Sequence, residues 1–177
     1  MIIRKAYWNY EKEEKWLNEM SAKGLALVGY TWCRYVFEDS QPGEYIYRIE
    51  LLEYLPNHPL SQKYLRFMEE NGVEFIASYM RWAYFRKKAA DGAFDIYSDI
   101  DSKMKHYRRV NWLWTGVAIC IFGIGLGNII IGIGLLSLLN FISGGICIIM
   151  GIALILIGRP VRKRIRKLRK DKVVTEA

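Results

Sequence analysis

Residues 14–38 read EKWLNEMSAKGLALVGYTWCRYVFE, and residues 62–86 read QKYLRFMEENGVEFIASYMRWAYFR. The two stretches align without a gap at a constant offset of 48. Lys15/Lys63, Leu17/Leu65, Met20/Met68, Gly24/Gly72 and Phe37/Phe85 are identical, and Trp16/Tyr64, Leu25/Val73, Leu27/Phe75 and Val28/Ile76 are similar. Each copy reads as a helix followed by two strands. The first helix is expected over 11–23, burying Trp16, Leu17 and Met20, and the second over 62–71, burying Tyr64, Leu65 and Met68. Apolar residues three and four apart line one helix face, and the glycine after each marks the stop. Strands are expected at 25–31, 34–38, 73–79 and 82–87, with one more before each helix at 2–8 and 44–52. Residues 40–43 read as a turn and 55–59 as a loop. The fold class that follows is α+β. Tandem βαββ repeats form an antiparallel sheet with two helices on one face, and a two-helix transmembrane hairpin comes after them.

Outward from the repeat, the chain changes character abruptly. Residues 1–110 carry 17 Lys and Arg against 16 Asp and Glu. From Trp112 to Gly158 no Asp, Glu, Lys, Arg or His occurs over 47 residues, and residues 159–177 carry nine basic residues against two acidic. A single helix of that length would run ~70 Å, against a hydrocarbon core of ~30 Å. Two spans fit, near 112–132 and 140–158, with the turn around 133–139. The expected organisation is a cytoplasmic repeat domain at 1–98, a juxtamembrane helix at 99–111, the hairpin at 112–158 and a basic cytoplasmic tail at 159–177. Lys103, Lys105, Arg108 and Arg109 precede the first span, basic residues follow the second, and the turn is uncharged. A multi-pass cell-membrane protein with both termini cytoplasmic is therefore expected. MIIRKAYWNYEKEE lacks the apolar core of a signal peptide.

Small residues suggest how the spans meet. Gly116, Cys120, Gly123, Gly127 and Gly134 form one stripe, and Gly144, Cys147, Gly151 and Gly158 another. They fit an intramolecular contact, with a dimer face as the alternative. The first reading places Cys120 and Cys147 at similar depth. In the tail, Val161, Ile165 and Leu168 recur at helical spacing. Arg159, Arg162, Lys163, Arg164, Arg166, Lys167, Arg169 and Lys170 suit an anionic lipid surface.

Residues 1–110 hold 21 aromatics. Alternation places Tyr45 and Tyr47 on one strand face and Trp82 and Tyr84 on another, with Glu50 and Glu74 near by. Aromatics around a carboxylate would suit a small lipophilic cation, and core packing is the competing use of the same residues. The near-neutral balance of this region gives nucleic acid no basic face, so none is expected. Catalytic motifs are absent, and His58 and His106 stand apart from any nucleophile. Cys33, Cys120 and Cys147 have neither disulfide nor zinc spacing. Asp95, Asp99 and Asp101 read as the approach to a helix capped by Ser98 with Asp101, rather than as a metal site. No enzyme, metal or cofactor is expected.

Several stretches are similar to one uncharacterised family, the domain of unknown function 2812: residues 13–20 (EEKWLNEM) with Gly24, 45–48 (YIYR), 71–74 (NGVE), 82–87 (WAYFRK) and 96–99 (IYSD). The resemblance covers roughly residues 5–108, and where the family has Gly-Trp-Glu this chain has Gly72–Val73–Glu74. It implies a bacterial membrane protein encoded beside PadR-type transcriptional regulators, and hence a signalling or regulatory role. The duplicated strand order is also similar to GyrI-type drug-binding domains. The expected function is a membrane-anchored cytoplasmic binding or sensor module that regulates a partner such as a PadR-type regulator. The alternative is a small membrane accessory or scaffold protein acting through its hairpin and basic tail.

Overall fold

The computed structural model describes residues 1–97 and 99–175, and the chain divides into two compact units, Met1–Ser98 and Asp99–Ala177. In unit 1, β1 (Ile2–Arg4), α1 (Tyr10–Ala22), β2 (Leu25–Thr31) and β3 (Arg34–Asp39) form the first repeat. The second comprises β4 (Tyr45–Leu51), α2 (Pro59–Glu70), β5 (Glu74–Tyr79) and β6 (Trp82–Lys88). The unit is α+β with tandem βαββ order, as the repeat predicts. The strands pair within each repeat rather than across it, giving two three-stranded antiparallel sheets, β1-β3-β2 and β4-β6-β5.

The duplication extends to local irregularities. Pairing slips by one residue between Leu27 and Gly29 in β2, and between Phe75 and Ala77 in β5. The extra residues, Val28 and Ile76, occupy the same repeat position. A bulge twists a strand and re-aims its side chains. Gly24 and Gly72 end the helices at φ +80° and +75°, where a side chain is strained. At Gly24 a Cβ would also sit 2.9 Å from the Ser40 carbonyl oxygen.

Helix α1 packs on the sheet of its own repeat and on the second sheet as well, and α2 on the sheet of its own repeat. Leu17 and Met20 of α1 pack with Leu27, Tyr35 and Phe37, and with Tyr47, Ile49 and Tyr84 from the second sheet. Leu65 and Met68 of α2 pack with Val73, Ala83, Phe85, Leu52 and Phe94. Helix α2 starts earlier than its apolar pattern indicates. Pro59 occupies its first turn, where no backbone N–H is needed, and His58 Nδ1 accepts the Leu60 N–H at 3.2 Å. Strand β1 is shorter than expected, because after Lys5 the chain leaves to set Asn9 as the N-cap of α1.

Unit 2 is helical: α3 (Ile100–Leu135), α4 (Leu138–Ile157) and α5 (Arg159–Thr175). Asp99 caps α3, accepting the Ser102 N–H and hydroxyl at 2.7 Å each. Ser98, expected in that role, lies outside the described residues. At 36 residues α3 runs ~54 Å, longer than a span alone. Two stretches of apolar helix, in α3 and in α4, are long enough to cross a membrane. They turn back at Leu136–Ser137, within the expected turn.

The second glycine stripe is the one in contact. A Cβ on Gly144 would lie 2.7 Å from Ile129 Cγ1 and 2.9 Å from the Gly125 carbonyl oxygen, and one on Gly151 2.9 Å from the Phe122 ring. The facing stripe on α3 is not the expected one. Gly116, Gly123, Gly127 and Gly134 have open space where a Cβ would go, whereas Gly125 and Gly132 press on Cys147 and Phe141. Gly125 and Gly132 are seven apart, the repeat that keeps a seam facing a partner helix crossing at a shallow angle. Cys147 thus sits against Gly125, and Cys120 is exposed. Gly158 breaks α4 from α5, and Pro160 follows in the first turn of α5. Helix α5 continues along α3, with Arg162 reaching Asn111 at 3.4 Å and Lys172 Nζ donating to both Asp101 oxygens at 2.7 Å.

Candidate functional site

The arrangement around α1 begins with an unpaired strand edge. β4 flanks its sheet, so alternate backbone groups along it point away from β6. Side chains of α1 satisfy them. Glu14 Oε2 accepts the Ile49 N–H at 3.0 Å, and Asn18 Oδ1 accepts the Tyr47 N–H at 2.9 Å while its amide donates to the Tyr47 carbonyl at 3.1 Å. Ser21 Oγ accepts the Tyr45 N–H at 3.2 Å and donates to its carbonyl at 2.6 Å. Three or four helical residues rise ~4.5–6 Å and two strand residues ~6.7 Å, so positions 14, 18 and 21 keep step with 49, 47 and 45. The helix stands in for a fourth strand. In the second repeat the equivalent positions are Gln62, Arg66 and Glu69, all exposed.

Beside this seam lies a buried carboxyl. Glu13 is 7% exposed, and the hydroxyls of Tyr35 and Tyr84 both donate to its Oε1 at 2.7 Å. Tyr30 lies against both rings, at centroid distances of 4.8 and 4.4 Å. Burial raises the Glu13 pKa above the ordinary glutamate value of 4.5, and the two hydroxyls oppose that shift. Burial likewise raises the Glu14 pKa, opposed by the Ile49 N–H and by Arg48. Both tyrosines are pushed up in turn, first by burial and then by the Glu13 charge.

The six residues expected to form a ligand cleft are placed as follows. Tyr47 is fully buried, its hydroxyl accepting the Leu27 N–H at 2.8 Å and so tying the two sheets together. Tyr84 belongs to the Glu13 cluster. Tyr45 is half-buried under the Arg86 guanidinium at 4.3 Å, and Arg86 in turn pairs with Glu74 at 2.7 Å and donates to the Leu27 carbonyl at 3.2 Å. Trp82 packs against Tyr10, with centroids 5.4 Å apart. Glu50 is buried on the opposite sheet face, accepting the Tyr64 hydroxyl at 2.6 Å. Strand register explains the separation, since Tyr45, Tyr47, Trp82 and Tyr84 share the α1 side and Glu50 points to the α2 side. Of these aromatics only Tyr84 meets a buried carboxyl, and that carboxyl is Glu13, which the strand pattern did not single out. The signal available was an acidic residue on the apolar stripe of α1 itself, at i, i+3, i+4 and i+7 with Trp16, Leu17 and Met20.

The basic residues of the tail present another surface. Arg159, Lys163, Arg164, Arg166, Lys167, Arg169 and Lys170 are exposed along α5, and Val161, Arg162, Ile165 and Leu168 are half-buried. Asp101, one of three acids weighed for metal binding, holds Lys172, and Asp99 serves as the cap.

The chain thus combines a duplicated α+β unit whose first helix seals a sheet edge with a hairpin of apolar helices. The sequence profile of the family described as "Protein of unknown function (DUF2812)" matches residues 9–119, and the chain belongs to that family. No curated protein and no solved structure matches the chain.

Proposed function

We propose that this chain is a membrane-anchored interaction module. The hairpin crosses the bilayer twice, both termini are cytoplasmic, and unit 1 is the domain through which a partner is regulated. The observation that carries the reading is the charge layout of unit 2. Antiparallel pairing of α3 with α5 gathers Lys103, Lys105, Arg108, Arg109 and the α5 cations at one end of the hairpin, while the Leu136–Ser137 end carries no charge. Such asymmetry orients spans with their basic end inside. The partner implied by the family resemblance is a PadR-type transcriptional regulator. A protein surface is favoured over a small lipophilic ligand, because the tyrosines and carboxyls of the expected cleft are already engaged elsewhere: Tyr84 by Glu13, Tyr47 by the Leu27 N–H, Glu50 by Tyr64, and Tyr45 and Glu74 by Arg86. The exposed cations of α5 favour a second role, contact with anionic headgroups.

A reporter inserted at Ser137 is expected to be active only outside the cytoplasm, and one fused after Ala177 only inside. The reverse pattern overturns the topology. Full-length chain in nanodiscs is expected to retain a purified PadR-type regulator from the same gene neighbourhood, and a chain lacking residues 1–98 is not. Equal retention by both refutes a role for unit 1.

A further inference from the structure

Both β-hairpins of unit 1 end in a tight turn, Trp32–Cys33 and Met80–Arg81, at equivalent repeat positions. Trp32 is 73% exposed and Met80 71%. Cys33 and Met80 adopt φ +55° and +54°, a region that ordinarily takes glycine or asparagine. Neither tip is placed by core packing, yet each carries a large apolar side chain into solvent. The two tips share one end of the unit, since the Trp32 ring lies 5.7 Å from that of Tyr79 and the Tyr30 ring 6.3 Å from it. The start of α1 is at the same end, where Tyr10 meets Trp82 and the Lys5 N–H reaches the Cys33 carbonyl at 2.9 Å. Trp8, just before the cap of α1, is also largely exposed.

Cations outnumber carboxylates around these side chains, with Glu11 in the first turn of α1. Segments 2–8, 30–35 and 79–82 contain Arg4, Lys5, Arg34 and Arg81 and no carboxylate. Arg4 and Arg34 stand directly opposite each other across β1 and β3, a like-charge pair that costs stability unless an anion faces it. Glu53 adjoins, following the Leu52 whose carbonyl accepts from Arg81. Exposed tryptophan and an aliphatic thioether ringed by cations match the headgroup layer of an anionic bilayer. Indole sits at the boundary there and Lys or Arg meets lipid phosphate.

We propose that the hairpin-tip end of unit 1, bearing Trp8, Trp32 and Met80 with Arg4, Lys5 and Arg34, docks on an anionic lipid surface. The inference rests on the reading that α3 and α4 are inserted in a bilayer, which holds the domain beside such a surface permanently. Weak docking then suffices, because the tether sets a high effective concentration.

The test uses the full chain in nanodiscs, with a fluorophore on a single cysteine and quencher-bearing lipids. A label on native Cys120, with the other cysteines replaced by serine, reports insertion of α3 through quenching by acyl-chain quenchers. Labels on Trp32→Cys and, separately, Met80→Cys report docking through headgroup-level quenchers, and one on Lys23→Cys is the control. Labels at 32 and 80 are expected to be quenched in nanodiscs containing phosphatidylglycerol, and released in pure phosphatidylcholine or at high salt. Arg34→Gln is expected to lower the docked-to-free ratio about fivefold. Quenching at 120 with none at 32 and 80 overturns the docking and leaves the anchor standing, whereas absence at 120 overturns the anchor itself. Quenching as strong in neutral as in anionic lipid overturns the charge argument. Protection of 32 and 80 that appears only when a soluble protein is added overturns lipid as the occupant.

Discussion

Removing the Glu13 carboxyl tests whether the buried cluster holds unit 1 together. Glu13→Ala leaves the Tyr35 and Tyr84 hydroxyls, both at 2.7 Å from the lost oxygen, inside an apolar cluster with Leu17, Ile49 and Tyr47. Each buried hydroxyl stranded without an acceptor costs ~1–3 kcal/mol, so the expected loss is ~3–5 kcal/mol, a large part of a typical ~5–15 kcal/mol total. Glu13→Gln keeps a carbonyl oxygen for the two donors and should cost no more than ~1–2 kcal/mol. The pH dependence gives a separate check. Because burial raises the folded pKa above 4.5, the native state binds the proton more tightly than the unfolded chain. Stability from this group is therefore fully present at low pH and falls as pH rises from 4.5 through the folded value. Glu14, shifted the same way by burial, contributes in the same direction. Hydrogen exchange of the β3 and β6 amides in the detergent-solubilised chain, read from pH 5 to 8, measures both effects. An Ala variant within ~1 kcal/mol of the parent, or a Gln variant with an undiminished pH slope, would refute the reasoning.

Asn18→Ala should strand both backbone groups of Tyr47 and cost ~2–3 kcal/mol, visible as a lowered thermal midpoint, whereas Arg66→Ala at the equivalent position of α2 should leave it unchanged. Gly144→Ile should separate α3 from α4, since even a Cβ there lies 2.7 Å from Ile129, and Gly123→Ala should be tolerated; distances between spin labels across the hairpin distinguish them. Oxidation of membranes should leave Cys120 and Cys147 unjoined within a chain, and an efficient intramolecular disulfide would contradict the observed helix seam. Asp101→Lys combined with Lys172→Asp should restore whatever protection of α5 from proteolysis either single change removes, at under ~1 kcal/mol for so exposed a pair.

Local chemistry made much of the fold legible. The 48-residue offset, the glycine stops after α1 and α2, and the alternation along β2–β3 and β5–β6 each depend on residues close in sequence. The uncharged run likewise reports two apolar helices from composition alone. Tertiary structure decided the rest. Glu13 reads locally as an acidic residue in the first turn of a helix, a favourable place for any carboxylate. Its burial follows from Tyr84, 71 residues away, closing over it. Asn18 and Ser21 look like ordinary surface polars until the edge of β4 is laid beside them. The glycine stripes show the same limit. Gly116, Gly123 and Gly127 are as small as Gly125 and Gly132, and periodicity permits either set to face α4. The crossing of two whole helices chose between them, because a seam repeating every seven residues stays in contact along their length and the other stripe rotates away.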